Sequence, residues 1–547
     1  MSAEPTAAPR TGDQNTRGVG GAVSTTAPSG TPDDFSGGGV GFTHRQIMVV
    51  MGGLMTALLL AALDQTIVST ALYTIVGDIG GPDGVQHISW IVTAYLLAST
   101  ASTPLYGKVS DIYGRKPLFL FAISVFLLGS VLAGLSQNML ELTITRGIQG
   151  MGAGGLMSLA MAIVGDVIPP RDRGRYQGLF GAVFGLSSVA GPLLGGFFTQ
   201  SLSWRWIFYI NVPLGAIALF VVIKYLHIPH NRRQHAIDWT GATLLVAAVS
   251  SLLLGMVNGQ QDGWTSSTIL GYLTFGVVLT AAFLWWETRV AEPILPLTIF
   301  RDRVIGVTSL LGFIVGFAMF GAIVYLPIYL QAVKGSTPTM SGLQLLPLMV
   351  GLLLTTITSG RLITRLGRYK IFPVLGAPVL MAGFWLFHLT GVETALWQIQ
   401  IAMFIVGLGI GGIMQVVILA AQNAAEPHQM GVVTSTATFV RGLGGTFGTT
   451  IFGVVLNNTF ASELATRLPG AATGPTGGGA GLSAAALASL PPAVRAPVLE
   501  SFTVALDHVF LMAAGISAVA FVLALLLPER PLRTGAGRPP AAVPAEL

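Results

Sequence analysis

The stretch "GKVSDIYGRKP" (107–117) occurs a second time, altered but recognisable, as "GRLITRLGRYK" (360–370). Each opens on a glycine followed by a basic residue, and each has Gly-Arg seven and eight positions after that first glycine. The two lie 253 residues apart, from Gly107 to Gly360. A second pair, "GLSSVAGPLLGG" (185–196) and "GLGGTFGTTIFG" (442–453), recurs at nearly the same offset. A chain that repeats itself at such a distance is built from two copies of one unit. In a membrane, two related halves are a transporter signature, because a central site between them can open to either side in turn.

Composition places the chain in a bilayer. Of 547 residues, 52% are hydrophobic and 9% charged, and the mean hydropathy is +0.72. A soluble chain carries about a quarter charged residues. The absence of cysteine excludes disulfides, thiolate metal sites and cysteine nucleophiles. The net charge of +5 points to membrane topology rather than to nucleic acid.

A spanning helix needs roughly 20 apolar residues, and fourteen such segments are readable. The first six lie near 47–70, 88–107, 117–136, 140–164, 177–198 and 206–226. Two follow near 240–258 and 267–286, and the last six near 305–330, 341–363, 371–389, 397–421, 432–455 and 506–527. The expected fold is an all-α membrane protein with two six-helix halves, 46–228 and 303–528, and two inserted linker helices within 236–290. Residues 1–45 and 529–547 read as tails, the first disordered and rich in Gly, Ser, Thr and Pro, without the apolar core of a signal peptide. The long loop 456–505, rich in Gly, Ala and Pro, reads as slack, the alternative being a partly ordered cap. With both termini cytoplasmic, 22 of the 28 Lys and Arg residues fall inside and only Arg205, Lys334, Arg467 and Arg495 outside. That bias supports the even count and the orientation, in a cell inner (plasma) membrane.

The sequence resembles the major facilitator superfamily, and within it the fourteen-helix drug:proton antiporters. "GKVSDIYGRKP" is similar to the loop motif between spans 2 and 3, with Gly107, Asp111, Gly114, Arg115 and Lys116 in place. "LTITRGIQGMGAGG" (142–155) resembles the motif of span 4, with Arg146, Gln149 and Gly150. "GLSSVAGPLLGG" resembles the antiporter motif of span 5, with Gly185, Gly191, Pro192, Gly195 and Gly196. "WRWIFYINVP" (204–213) fits the start of span 6, and "LDQTIVSTALY" (63–73) the motif of span 1, with Ser69 and Tyr73 in place of the family's usual Asn and Pro. The resemblance implies proton-coupled export of hydrophobic or amphipathic, including cationic, drugs by a monomer. It implies no cofactor beyond the proton gradient.

The residues themselves agree with that implication. Asp64 stands inside the apolar run "TALLLAALDQTIVSTAL" (56–72), where a charge costs about 2.5–3.5 kcal/mol on insertion scales. A carboxyl that is neutral when occluded and charged when wetted carries protons; the alternative is an aspartate hydrogen-bonded to Gln65, Thr66 or a neighbouring helix. Arg146 is a second ion at membrane depth, either coupled to proton transfer, as the resemblance implies, or a structural hydrogen-bonding hub. Asp111, Arg115 and Asp166 share one end of the spans. The resemblance implies a charge latch there; the alternative is a solvated topology marker. Thr364 replaces Asp111 in the second copy, so a second latch is expected to be weaker. The glycines of span 5 permit close packing, and Pro192 removes a backbone donor. Arg441 within span 13, and Asp507 with His508 at the outer start of span 14, are secondary candidates along with Gln149.

Other readings are weaker. "GMGAGG" (150–155) and "GLGIGG" (407–412) match a nucleotide fingerprint but follow no strand. The chain has no P-loop, since Ser102 stands where its first glycine belongs. His227, His230 and His235 sit in an Arg-rich connector and read as interfacial, not as a metal site. No enzyme motif occurs in the spans. The remaining rival keeps the fold and changes the cargo to a lipid, siderophore or endogenous metabolite.

Overall fold

A computed structural model of the chain describes residues 44–79, 88–168, 170–226, 238–426, 429–468 and 491–532. The tail readings for 1–43 and 533–547, and the three connector histidines, lie outside the described residues. In chain order the helices are α1 (His44–Ile79), α2 (Ile88–Tyr113), α3 (Arg115–Leu135), α4 (Met139–Val167), α5 (Pro170–Ser201), α6 (Trp206–Tyr209), α7 (Asn211–Tyr225), α8 (Trp239–Asp262) and α9 (Ser267–Glu287). They continue as α10 (Arg303–Ala332), α11 (Pro338–Gln344), α12 (Leu346–Leu366), α13 (Ile371–His388), α14 (Leu396–Ala424), α15 (Met430–Arg467) and α16 (Pro492–Leu526). No strand occurs among the described residues, as expected where hydrocarbon leaves helices to satisfy their own backbone groups.

Among the described residues, thirteen helical segments are long and apolar enough to cross a membrane. The expected second span is not among them, because α2 carries Ser99, Thr100, Ser102 and Thr103 in its middle. These hydroxyls find partners inside the protein: Ser102 Oγ donates to the Met151 carbonyl at 3.2 Å and Thr103 Oγ1 to that of Ser99 at 2.7 Å. So α2 is an interior helix, packed on α4, α8 and α15.

Two large apolar cores form. One joins α1, α2, α3, α4, α5 and α7 around Phe119, Phe126, Leu156 and Phe180. The other joins α10 and α12–α16 around Leu326, Phe384, Phe452 and Phe510. The inserted pair α8 and α9 packs through Leu245, Leu253 and Phe283 near Ala101 of α2 and Phe439 of α15. The repeat is visible in the backbone: Gly114 and Gly367, at matching positions of the two copies, both take positive φ, 97° and 69°. An L side chain there would be strained, which is why Gly-Arg recurs where one helix ends and the next begins.

Three boundaries differ from the sequence reading. Both ends of the loop read at 456–505 are helical: α15 continues to Arg467 and α16 begins at Pro492, and Arg467 Nη1 meets Glu463 at 2.5 Å within α15 while its Nε meets Glu500 of α16 at 3.6 Å; residues 469–490 lie outside the described residues. Asp111 lies in the last turn of α2 rather than in a loop. Asp507 and His508 lie well inside α16 rather than at its start.

Glycines set how closely the helices approach. A Cβ added to Gly150 of α4 would overlap the Tyr95 carbonyl of α2, whereas one at Gly52 would meet nothing within 4 Å. Gly150→Ala is therefore expected to lose about 1–3 kcal/mol, the usual range for overpacking, while Gly52→Ala keeps or raises stability. Thermal unfolding of the purified variants in detergent measures both.

Candidate functional site

Inside the first half, α1, α3 and α7 each bring one polar side chain to a single point and α4 brings two. Asp64 of α1 is wholly enclosed, and Arg146, two turns into α4, is 1% exposed. Arg146 Nη1 donates to Asp64 Oδ2 at 2.5 Å and to Gln149 Oε1 at 2.7 Å. Gln149 Nε2, one turn further along α4, donates to Asp64 Oδ1 at 2.8 Å. Asn211 Nδ2, at the start of α7, donates to the same Oδ1 at 3.3 Å and to Ser130 Oγ of α3 at 2.9 Å. Ser130 Oγ in turn donates to the Phe208 carbonyl at 2.9 Å. The guanidinium stacks over the Tyr95 ring at 4.2 Å, and its Nε donates to the Ile91 carbonyl at 3.4 Å. Tyr95 donates its hydroxyl to the Ala61 carbonyl at 3.2 Å.

Asp64 thus faces neither lipid nor water. A lone buried carboxylate or guanidinium is very costly, and the pair is tolerable only when its remaining lone pairs and protons are matched. Here both carboxylate oxygens accept, and the guanidinium has an anion, an amide oxygen, a carbonyl and an aromatic face. Gly129 makes this possible: a Cβ there would sit 2.5 Å from the Gln149 backbone nitrogen. Asp64, Arg146 and Gln149 were legible from their residue types at membrane depth. Asn211, Ser130 and Tyr95 were not singled out, although a lone Asn and Ser in apolar runs are the signal that marks them.

A second cluster closes one end of the bundle. Arg115, at the start of α3, pairs with Asp111 at 2.6 Å through Nη2 and with Asp166 of α4 at 2.7 Å through Nε, and its Nη1 donates to Ser110 Oγ at 2.5 Å. Asp111 Oδ2 also accepts the Val432 backbone N–H at 3.0 Å, which belongs to the first turn of α15 in the other half. A free N–H at a helix start carries partial positive charge, so a carboxylate is well placed there. The fit leaves no slack: a Cβ on Gly431 would overlap the Arg115 guanidinium and the Asp111 carboxylate, and one on Gly107 would overlap Ser435 Oγ. Lys116 donates to the Ile223 carbonyl at 2.8 Å, near the C-terminus of α7. In the second copy the uncharged Thr364 stands at the position of Asp111, and its Oγ1 donates to the Gly360 carbonyl at 2.9 Å.

The glycine motif of α5 lies in the seam between halves. A Cβ on Gly191 would overlap Thr66 Oγ1 of α1, and Thr66 donates to the Ser187 carbonyl at 2.9 Å. Gly185 faces Met349 of α12, and Pro192 lies against Gly342 of α11. The carbonyls of Gly195 and Gly196 accept from Thr199 at 2.8 and 3.1 Å. Arg441, Asp507 and His508 lie in the other half, outside both clusters. Asp507 Oδ1 meets His388 Nδ1 at 2.7 Å, and His508 Nδ1 lies 2.9 Å from the Val504 carbonyl.

A multi-pass helical protein with two related halves, an enclosed ion pair in one and a charged cluster bridging them, has the architecture of a membrane transporter. Comparison with known proteins gives the family. The family model described as Major Facilitator Superfamily matches residues 54–449. An uncharacterised MFS-type transporter of Mycobacterium tuberculosis strain H37Rv is 40% identical over 93% of this chain and 73% of its own length. Multidrug resistance protein 3 of Bacillus subtilis is 36% identical over 89% of this chain and 96% of its own. The solved proton:xylose symporter XylE shares the fold, with a TM-score of 0.61 at 14% identity over 89% of this chain and 98% of that one. The chain belongs to the major facilitator superfamily. It is a multi-pass membrane transporter, with multidrug transporters among its relatives, and not an enzyme.

Two outcomes are expected. Asp64→Asn leaves Arg146 without its counter-ion and is expected to cost about 3–5 kcal/mol, the usual range for breaking a buried pair. Adding Arg146→Gln should recover most of that loss in a double-mutant cycle of heat unfolding. Because the chain has no cysteine, Ser435→Cys, at a position 1% exposed, gives a clean probe of the junction between Asp111 and α15. A maleimide should label it slowly in the parent and at least fivefold faster once Arg115→Gln is added.

Proposed function

We propose that the chain is a proton-coupled antiporter that exports hydrophobic or amphipathic compounds, cationic ones included, from the cytoplasm. The observation that carries this reading is the enclosed Asp64–Arg146 pair. The cell inner membrane is the proposed site, with both termini cytoplasmic, the protein acting as a monomer and the proton gradient as its only energy source. In that orientation the Arg115 latch lies at the cytoplasmic end, and the contact of Asp111 with Val432 holds that end shut.

Asp64 can be enclosed only with a counter-ion or a proton. Arg146 supplies the counter-ion in this arrangement. When outside water reaches the carboxylate, a proton binds Asp64 and the ion pair dissolves. The guanidinium stays held by Gln149 Oε1, the Ile91 carbonyl and the Tyr95 ring. Neutral Asp64 then no longer binds α1 to α4 by charge, and the latch is free to open. On the cytoplasmic side Asp64 releases its proton, the pair re-forms, and cargo loads as the halves rock back. Proton entry and cargo exit therefore belong to one cycle. One elementary charge is worth about 2.3 kcal/mol per 100 mV, and about 1.4 kcal/mol is tenfold. One proton per cycle thus sustains a gradient of more than tenfold at 100 mV for an uncharged or zwitterionic cargo, while exchange for a monovalent cation moves no net charge and is driven by the pH difference alone.

In vesicles reconstituted with the protein and loaded with a pH indicator, ethidium added on the cytoplasmic face should trigger proton movement in the opposite direction. Asp64→Asn combined with Arg146→Gln, the stability-matched variant, should reduce that signal at least tenfold. Parent-level coupling in that variant would remove the pair from the mechanism.

A further inference from the structure

Arg146 has every polar neighbour it needs; the other guanidinium at membrane depth has none. Arg441 of α15 makes no hydrogen bond or ion pair among the described residues, and its Nη1 is buried without a partner. Gln415 of α14 is 4% exposed, and both its Nε2 and its Oε1 are buried without partners. Such groups are costly to leave unmatched, and two in one half call for an explanation.

Their positions are linked by the helix repeat. Gln422 of α14 donates to Thr434 Oγ1 of α15 at 3.1 Å, near the short connection that joins these antiparallel helices. Gln415 lies seven residues back from Gln422, and Arg441 seven residues on from Thr434. Seven residues are two turns and about 10 Å, and they return to the same helix face. Gln415 and Arg441 therefore stand at one depth, on the faces that meet lower down. Gly312 and Gly316 of α10 confirm the level. A Cβ on Gly312 would lie 3.5 Å from Val417 Cγ1 of α14 and 4.0 Å from the Ala437 carbonyl of α15, and one on Gly316 would lie 3.1 Å from Arg441 Cγ. The face of α14 that carries Gln415 looks toward the other half, since Ile418 packs in that half's core and Gln422 donates to the Met161 carbonyl of α4 at 3.2 Å. On the same helices Phe313, three residues before Gly316 on α10, stands 5.8 Å from Phe447 of α15 and 6.5 Å from Phe317, an aromatic wall where α10 and α15 meet.

We propose that Arg441 and Gln415 form a recognition site for an oxyanion on the transported compound, so that the cargo class includes amphipathic anions and zwitterions bearing a carboxylate or similar group. The guanidinium supplies the counter-charge, Gln415 Nε2 donates a hydrogen bond, and the aromatic wall takes the apolar body. Charge-assisted contacts of this kind are the strong ones. The proposal rests on the export reading above and narrows its cargo.

Rhodamine B and its ethyl ester share one cationic ring system and differ in whether the carboxylate is free. Fluorescence polarisation with the purified protein in detergent, without a proton gradient, reads their binding separately from transport. The parent is expected to bind rhodamine B at least tenfold more tightly than the ester. Arg441→Gln should abolish that preference while leaving ester binding unchanged, Arg441→Lys should keep part of it, and Gln415→Leu should reduce it. Arg441→Gln should also match or exceed the parent in Tm, because it removes an unmatched charge; a merely structural arginine would lower Tm on removal. Equal binding of the two dyes by the parent, or an equal loss for both in Arg441→Gln, overturns this site and leaves the antiport reading standing. Binding of neither dye overturns this site together with the drug cargo. Loss of coupling in the Asp64 and Arg146 double variant with the dye preference intact separates the two proposals.

Discussion

The ion pair between Asp64 and Arg146 constrains everything around it. Neither charge is affordable at that depth alone, so α1 and α4 must meet at one height and in one rotation. Gln149 and Asn211 then occupy the second carboxylate oxygen, and Ser130 accepts what is left over. Close approach is required on every side, which accounts for Gly129 against Gln149 and Gly150 against Tyr95. The polar centre dictates where small residues must lie, not the reverse.

The second constraint acts between halves. Asp111 serves Arg115 on its own side and the first turn of α15 across the seam. This joint is electrostatic, whereas the two large apolar cores lie mainly within the halves and only Ile418 of α14 enters the core of the first. The inserted helices reinforce it, because α8 and α9 pack near both α2 and α15, and Lys108, one turn before Asp111, pairs with Glu292 at 3.2 Å. The second copy of the loop has gone another way. Tyr369 is fully buried and donates to the Pro528 carbonyl at 2.9 Å, while Arg530 pairs with Asp302 at 2.7 Å. The repeat has kept its backbone turn and lost its symmetry of charge.

Particular residues show where the sequence was readable. Asp64 and Arg146 declared themselves because ions in apolar runs are rare and must have partners. Their pairing was not readable, since 82 residues separate them and nothing local fixes which face of α4 looks at α1. Asn211 and Ser130 are ordinary small polar residues until α3 and α7 bring them to the carboxylate. Helix ends were misjudged where polarity falls off gradually. Hydropathy stopped α15 near 455 and started α16 near 506, yet both run on, tied by Arg467 between Glu463 and Glu500. The hydroxyl-rich middle of α2 lowers its hydropathy below that of the other spans because it packs inside the protein.

The amino-acid order by itself determined the membrane class, the number and rough place of the long helices, the twofold repeat with its two positive-φ glycines, and the ions that had to be explained. These follow from local hydropathy, spacing and the cost of charge in hydrocarbon, all of which act along the chain. Only the tertiary structure decided that Asp64 meets Arg146 instead of solvent, that Asp111 reaches the other half, and that Arg441 and Gln415 remain unmatched. Those outcomes depend on the rotation and height of helices far apart in the chain, which packing sets and periodicity leaves open.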